Sequence, residues 1–269
     1  MKRQIIKVNN MSFKFEDNYL FKDFNLEIEE SSFVSIIGMN GSGKSTLAKI
    51  LIGLYKAEGY ITIDGYLLND FYLKKIRRVF SVCFNDADSH FIGETVRDDL
   101  AFTLENLAYS NKEMIKSIEV IAKKFKLESI LDKSPEELTN SEKEKVMIAS
   151  SIIHKPKIIL LDESIYKLTP SDKKLVFKLL KEYQKEYKLT VILITHDLED
   201  TLYSDNIIVL DKGKIVMKGT KEEIYKDETL EKLGFNLPFI VKLSHNLMLY
   251  DLLDRVYFDS GEVMNKLWP

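Results

Sequence analysis

The order of apolar and polar positions divides the chain into a β-rich start, a helical middle, an α/β stretch and a helical end. Ile5-Ile6-Lys7-Val8, Met11 to Phe15 and Asn25 to Glu29 read as short strands separated by polar turns. Phe33-Val34-Ser35-Ile36-Ile37 is apolar and β-branched, a buried strand. Residues 44–54 carry Leu47, Ile50, Leu51 and Leu54 on one helical face. Tyr60 to Gly65 alternates and ends on a turn signal, and Val79 to Phe84 is a further apolar run. From Asp98 to about Lys126 the spacing turns helical, through Leu100, Leu104, Leu107, Ile115, Ile118, Ile121, Ala122 and Phe125. Thr139 with Glu142, and Ser141 with Glu144, both have capping-box spacing ahead of a helix through Val146, Ile148, Ala149 and Ile152.

The α/β stretch is the clearest. Lys157 to Glu163 is a buried strand ending in two acids, and Thr190 to His196 is a second strand with a polar end. Leu175 to Tyr187 is an amphipathic helix between them, so the order implies a parallel sheet with a right-handed crossover. Asn206 to Leu210 and Lys214 to Met217, joined by Asp211-Lys212-Gly213, form a hairpin. Residues 86–150 read as a helical subdomain inserted between strands. The chain from about Lys221 reads as helical and separate from the sheet.

The candidate chemistry starts at Gly38-Met39-Asn40-Gly41-Ser42-Gly43-Lys44-Ser45-Thr46, which fits the P-loop pattern G-x-x-x-x-G-K-[ST]. It lies between a strand and a helix, as the mechanism requires. Glycines let consecutive N–H groups close on phosphate oxygens, and the helix N-terminus adds its positive end. Lys44 would reach the β- and γ-phosphates of ATP, and the Ser45 hydroxyl would hold Mg²⁺. Ligands of parallel sheets sit beyond the carboxyl ends of the strands, where Gly38, Asp162 and His196 all fall. Asp162 is suited to holding Mg²⁺ through water, and Glu163 to polarising the attacking water as a general base on the opposite pleat direction. His196 is suited to hydrogen-bonding the γ-phosphate. Phe15, at a strand end, is on position alone a core or edge aromatic, with stacking on adenine the other reading.

Composition narrows the setting. The 269 residues are 45% hydrophobic and 30% charged, with 39 Lys+Arg against 42 Asp+Glu. The resulting net charge of −3 argues against a nucleic-acid binder. Cys83 is the single cysteine and lies in an apolar run, which excludes a disulfide framework and points to a reducing compartment. No signal peptide or spanning segment is expected, so any membrane role is peripheral and through a partner.

With these residues in place, the sequence resembles the ATP-binding cassette family over about residues 4–220. That resemblance implies an α/β P-loop NTPase of ABC type, with an antiparallel β subdomain, an inserted helical subdomain (about 86–150) and a small C-terminal helical extension. The nucleotide-binding domain would take residues 1–220 and the extension residues 221–269. Glu163 directly after Asp162 matches the family's catalytic glutamate, and Thr195-His196-Asp197 matches the context of its switch histidine. Phe15 then matches the aromatic that stacks on adenine, and Asn85 aligns with a Mg²⁺-sensing glutamine. Asp88-Ser89-His90-Phe91-Ile92-Gly93-Glu94-Thr95-Val96, then Asp99-Leu100-Ala101-Phe102 and Leu104-Glu105-Asn106, resemble the ATPase subunits of energy-coupling factor transporters. Gly234 to Phe239 and the helical tail resemble their C-terminal extension. The resemblance implies ATP hydrolysis that powers import of a vitamin or metal ion. It implies a second cassette, a transmembrane coupling protein and a substrate-binding membrane subunit as partners, and a place on the cytoplasmic face of the cell membrane.

Three motifs depart from the family pattern, the first being Asn85, one methylene shorter than the glutamine it aligns with. The signature L-S-G-G-Q reads Leu138-Thr139-Asn140-Ser141-Glu142, which adds Cβ atoms and a carboxylate where a phosphate of the opposite subunit would approach. The loop ending S-x-L-D reads Tyr166-Lys167-Leu168-Thr169. Elements serving the chain's own nucleotide are kept and those offered to a partner are altered, which predicts an asymmetric heterodimer. The alternatives are a mainly non-hydrolytic ATP-binding clamp and the ATPase of another ABC transporter type.

Overall fold

The computed structural model describes residues 3–85, 91–226 and 229–268. Two long strands open the chain, β1 (Gln4–Phe15) and β2 (Asn18–Glu29), paired antiparallel. The polar step at Asn9-Asn10 does not end a strand, as the sequence suggested. It is absorbed as an irregularity in β1, with Asn10 at φ 50° and its N–H donated to Asn25 Oδ1 (2.9 Å). A short polar side chain tolerates that left-handed turn, and a bulge accommodates the extra residue.

β3 (Phe33–Gly38) is buried along its length and leads into α1 (Lys44–Leu51). α1 stops short of the expected Leu54, which is 55% exposed. Gly53 ends it in the left-handed region, donating to Ile50 O while Leu54 N donates to Lys49 O, a Schellman arrangement. β4 (Glu58–Ile63) and β5 (Tyr66–Leu67) complete a four-stranded sheet in the order β2-β1-β4-β5. α2 (Leu73–Val79) and β6 (Phe80–Cys83) follow. The helical middle resolves into α3 (Val96–Asn106), α4 (Asn111–Phe125) and α5 (Asn140–Ile152). Ala108 at φ 61° breaks the first two apart, and Ser110 with Glu113 restarts the helix through a capping box.

β7 (Ile158–Asp162), α6 (Pro170–Tyr187) and β8 (Thr190–Ile194) form the expected βαβ unit. β9 (Asn206–Asp211) and β10 (Lys214–Thr220) form the hairpin. The second sheet has the order β10-β9-β3-β8-β7-β6, parallel except for β9 with β10. Its central strands bury both faces. Val34, Ile36, Leu160, Ile192 and Ile194 pack toward α1 and the four-stranded sheet, and Phe33, Ile159, Leu161, Val191 and Leu193 pack toward α3 to α6.

α7 (Lys221–Ile224), α8 (Thr229–Lys232), α9 (Phe239–Met248) and α10 (Ser260–Leu267) end the chain. They are not separate from the sheet, contrary to the sequence reading. Tyr225, Leu230, Phe235, Leu237 and Val241 share a core with Ile37 of β3 and with Ile207 and Val209 of β9. Removing that apolar area from water is what holds the tail in place.

Candidate active site

The parallel order of β3, β8 and β7 brings their carboxyl ends together, and those ends carry the candidate residues. After β3 the chain makes the Gly38–Gly43 loop and enters α1 without any side-chain N-cap, which leaves the first N–H groups of the helix for an anion. Gly38 is needed because a Cβ there would meet Leu210 O and Ser42 Oγ at 2.4 Å. Gly43 sits at φ 108° against the Phe21 ring. Gly41 faces open space, with nothing within 4 Å of a Cβ built on it.

The buried Lys44 ammonium donates to Gly38 O (2.7 Å) and Met39 O (3.2 Å). Burial lowers its pKa, and the charges of Glu163 and Asp162 pull the other way. Ser42 Oγ is buried with no partner. A loop with an ammonium resting on carbonyls, an orphan hydroxyl and an uncapped helix start fits a polyphosphate, which would supply acceptors to all three. Met39 and Asn40 lie exposed at the outside of the loop, and Thr46 lies in the first turn of α1.

Ser45 Oγ donates to Asp162 Oδ1 (3.3 Å). Burial raises the Asp162 pKa, the Ser45 bond lowers it, and the neighbouring Glu163 charge raises it again. A hydroxyl and a buried carboxylate side by side are a donor set suited to a hard divalent cation.

Glu163 does not continue the pleat, as the sequence suggested. It leaves β7 at φ 53° and donates its N–H to Ile194 O (3.0 Å). Its Oε1 lies 3.4 Å from His196 Nδ1. A non-glycine residue in the left-handed region is a local strain that surrounding bonds must hold. His196 follows β8, and its ring lies 5.8 Å from the Tyr166 ring. Its loop is braced by Thr195 Oγ1 on Asp200 Oδ2 (3.1 Å) and by Lys173 Nζ on Asp200 Oδ1 (2.7 Å). Tyr166, read from the sequence only as part of the altered loop, lies against His196, and the roles of Lys173 of α6 and Asp200 beside His196 escaped the sequence reading because only tertiary packing joins them.

Asn85 lies exposed just beyond β6, whose Cys83 pairs with Leu161 of β7, so it is at the same end of the sheet as Asp162. Phe15 ends β1 and is 49% exposed. Its ring stands edge-on to Phe13 (5.0 Å) and Tyr55 (6.1 Å). Phe13 pairs in register with Phe21, the residue that packs on Gly43, so the hairpin holding Phe15 abuts the P-loop. Asp88, Ser89 and His90, which begin the transporter-like stretch, lie outside the described residues.

The altered signature starts α5. Thr139 and Glu142 close a capping box, with Glu142 Oε2 accepting from Thr139 N (2.8 Å). That bond holds the Glu142 carboxyl below its ordinary pKa. Of the two capping boxes read from the sequence, this one forms. Ser141 instead donates to Asp172 Oδ2 (2.6 Å) and accepts from Thr169 N (3.0 Å).

Comparison with known proteins identifies the family. The family model for ABC transporters matches residues 21–166. The chain is 37% identical over 268 residues to the energy-coupling factor transporter ATP-binding protein EcfA1 of Ligilactobacillus salivarius, covering 98% of this chain and 95% of that protein. Among solved structures, CbiO1 of Clostridium perfringens, part of the ABC transporter complex CbiONQ, superposes with a TM-score of 0.78 at 29% identity, covering 91% of this chain and 100% of that one. The ATP-binding cassette MJ0796, solved as a dimer in a post-hydrolysis state with ADP and Pi, gives a TM-score of 0.71 at 29% identity, covering 80% of this chain and 98% of that one. The chain therefore belongs to the ABC transporter family, among the ATP-binding proteins of energy-coupling factor transporters.

Proposed function

We propose that this chain hydrolyses ATP to power import of a vitamin or metal ion by an energy-coupling factor transporter, as one half of an asymmetric cassette heterodimer. The observation that carries the hydrolytic reading is the meeting of Lys44, Ser45, Asp162, Glu163 and His196 at one end of the sheet. On binding ATP, Lys44 exchanges the Gly38 and Met39 carbonyls for β- and γ-phosphate oxygens. Ser45 and Asp162 would hold Mg²⁺, which neutralises charge between those phosphates. Asn85, beyond the same end of the sheet, would sense that cation, and Phe15 would take the adenine ring. Glu163 accepts a proton from the attacking water as the water oxygen bonds to the γ-phosphorus, and the ADP oxygen leaves. His196, held by Glu163, donates to the γ-phosphate until it departs.

The asymmetry rests on the capped signature. Thr139, Ser141 and Glu142 are engaged within the chain, so α5 offers little to a phosphate on a partner. An unlike cassette with a glycine-rich signature would complete this chain's own site. A transmembrane coupling protein and a substrate-binding membrane subunit complete the assembly at the cytoplasmic face of the membrane. No described helix is long and apolar enough to cross a membrane. Residues 1–220 form the nucleotide-binding domain in this reading, with 221–269 as its extension.

The test compares ATP turnover of the purified chain alone with that of the transporter complex. The complex should hydrolyse ATP cooperatively and the chain alone should not; robust cooperative turnover by the chain alone would refute the asymmetry. Glu163→Gln in the complex should cut turnover on the order of 10²-fold or more. Unchanged turnover and transport would show instead that the chain is an ATP-binding clamp.

A further inference from the structure

Glu144 lies one turn into α5, and its side chain is fully buried, at 0% exposure. A buried carboxylate is costly unless its oxygens are satisfied. Both Glu144 oxygens accept from the backbone N–H of Lys167 (3.1 and 2.9 Å), and the Leu168 N–H adds a second backbone bond. Lys167 belongs to the loop that starts at Glu163 and ends where Thr169 caps α6. The loop is tied at three points: Glu163 N on Ile194 O, Lys167 N on Glu144, and Thr169 N on Ser141 Oγ. Between the first two ties stands Tyr166, against His196.

We propose that Glu144 is a positioning residue for ATP hydrolysis: by holding the Lys167 backbone it keeps Tyr166 against His196, and so fixes the His196–Glu163 contact. The inference rests on the hydrolytic reading of that site. It also ties the start of α5, the end offered to a partner, to the chain's own hydrolytic residues through one short loop. An apolar side chain of similar volume would pack as well but could not accept the Lys167 N–H. The loop would then lose its middle tie while the P-loop stayed as it is.

The test measures ATP turnover and KM in the assembled transporter complex carrying Glu144→Met or Glu144→Gln. Glu144→Met should lower kcat about fivefold or more with KM for ATP within about twofold. Glu144→Gln keeps an oxygen acceptor and should stay within about twofold of the parent. Tyr166→Leu leaves Glu144 untouched and should reproduce the Met phenotype, which keeps the proposal testable if the Met variant does not fold. Parent-like kcat in Glu144→Met or Tyr166→Leu overturns the proposal, as does a Gln variant as slow as Met. Glu163→Gln measured alongside separates the two ideas: if it leaves turnover intact, the hydrolytic reading fails, whatever Glu144 does.

Discussion

The two halves of the nucleotide machinery in this chain are built from different materials. The half around β3 and α1 presents backbone: glycines at Gly41 and Gly43, an uncapped helix start, and a lysine resting on carbonyls until phosphate replaces them. The half around the start of α5 presents side chains, and those side chains are already used. Thr139 and Glu142 cap each other, Ser141 holds Asp172 and Thr169, and Glu144 holds Lys167. An open half can take a ligand with little rearrangement, whereas a closed half must first give up bonds of its own. On the proposed reading of this stretch as an altered signature, its groups have been turned inward to brace the chain.

The largest effect that would test this contrast is at Gly38. Gly38→Ala drives a Cβ into Leu210 O and Ser42 Oγ. Overpacking against backbone should cost about 1–3 kcal/mol or more and remove ATP binding, read by denaturant unfolding and by nucleotide titration. If binding persists, the backbone cradle is less exacting than described.

Glu144 comes next. Burial lifts its carboxyl to about 7, with Lys167 and Lys173 facing it and pulling the value down. A carboxyl whose folded value lies above its unfolded one binds more protons when folded, so its contribution to stability is lost as pH rises from about 4.5 to about 7. Relative to the parent, Glu144→Gln should therefore gain stability across that window, on the order of 3 kcal/mol when complete, and level off above it. A parent-minus-Gln difference that is flat with pH would place the carboxylate in a more polar setting.

The smallest effect is at Ser141. Ser141→Ala removes a bond to the Asp172 carboxylate and the acceptor for Thr169 N. Thermal unfolding should show a loss of about 1–2 kcal/mol. No loss would mean that the closed half is held by packing alone.

Much of the open half was legible because it is local. The P-loop is one contiguous pattern, and Asp162, Glu163 and His196 end apolar strands whose order fixes a parallel sheet. What escaped the sequence depended on contacts between distant segments. Nothing near Glu144 in the sequence announces Lys167, and two capping boxes were equally readable until Ser141 found Asp172. The bulge in β1 leaves no sequence signal, because Asn9-Asn10 looks like a turn until Asn25 of the neighbouring strand accepts the Asn10 N–H. The sequence predicts Glu163 on the pleat because a left-handed glutamate leaves no trace in periodicity.

The shared core of the tail and the sheet has a consequence for biosynthesis. Ile37, directly before the P-loop, and Ile207 and Val209 stay wet on one side until Tyr225, Leu230, Phe235 and Val241 arrive. Those residues leave the ribosome after the strands they cover. The strand that carries the nucleotide loop is thus sealed only after residues 225–241 have been made, and a chain cut short before them displays a sticky apolar face.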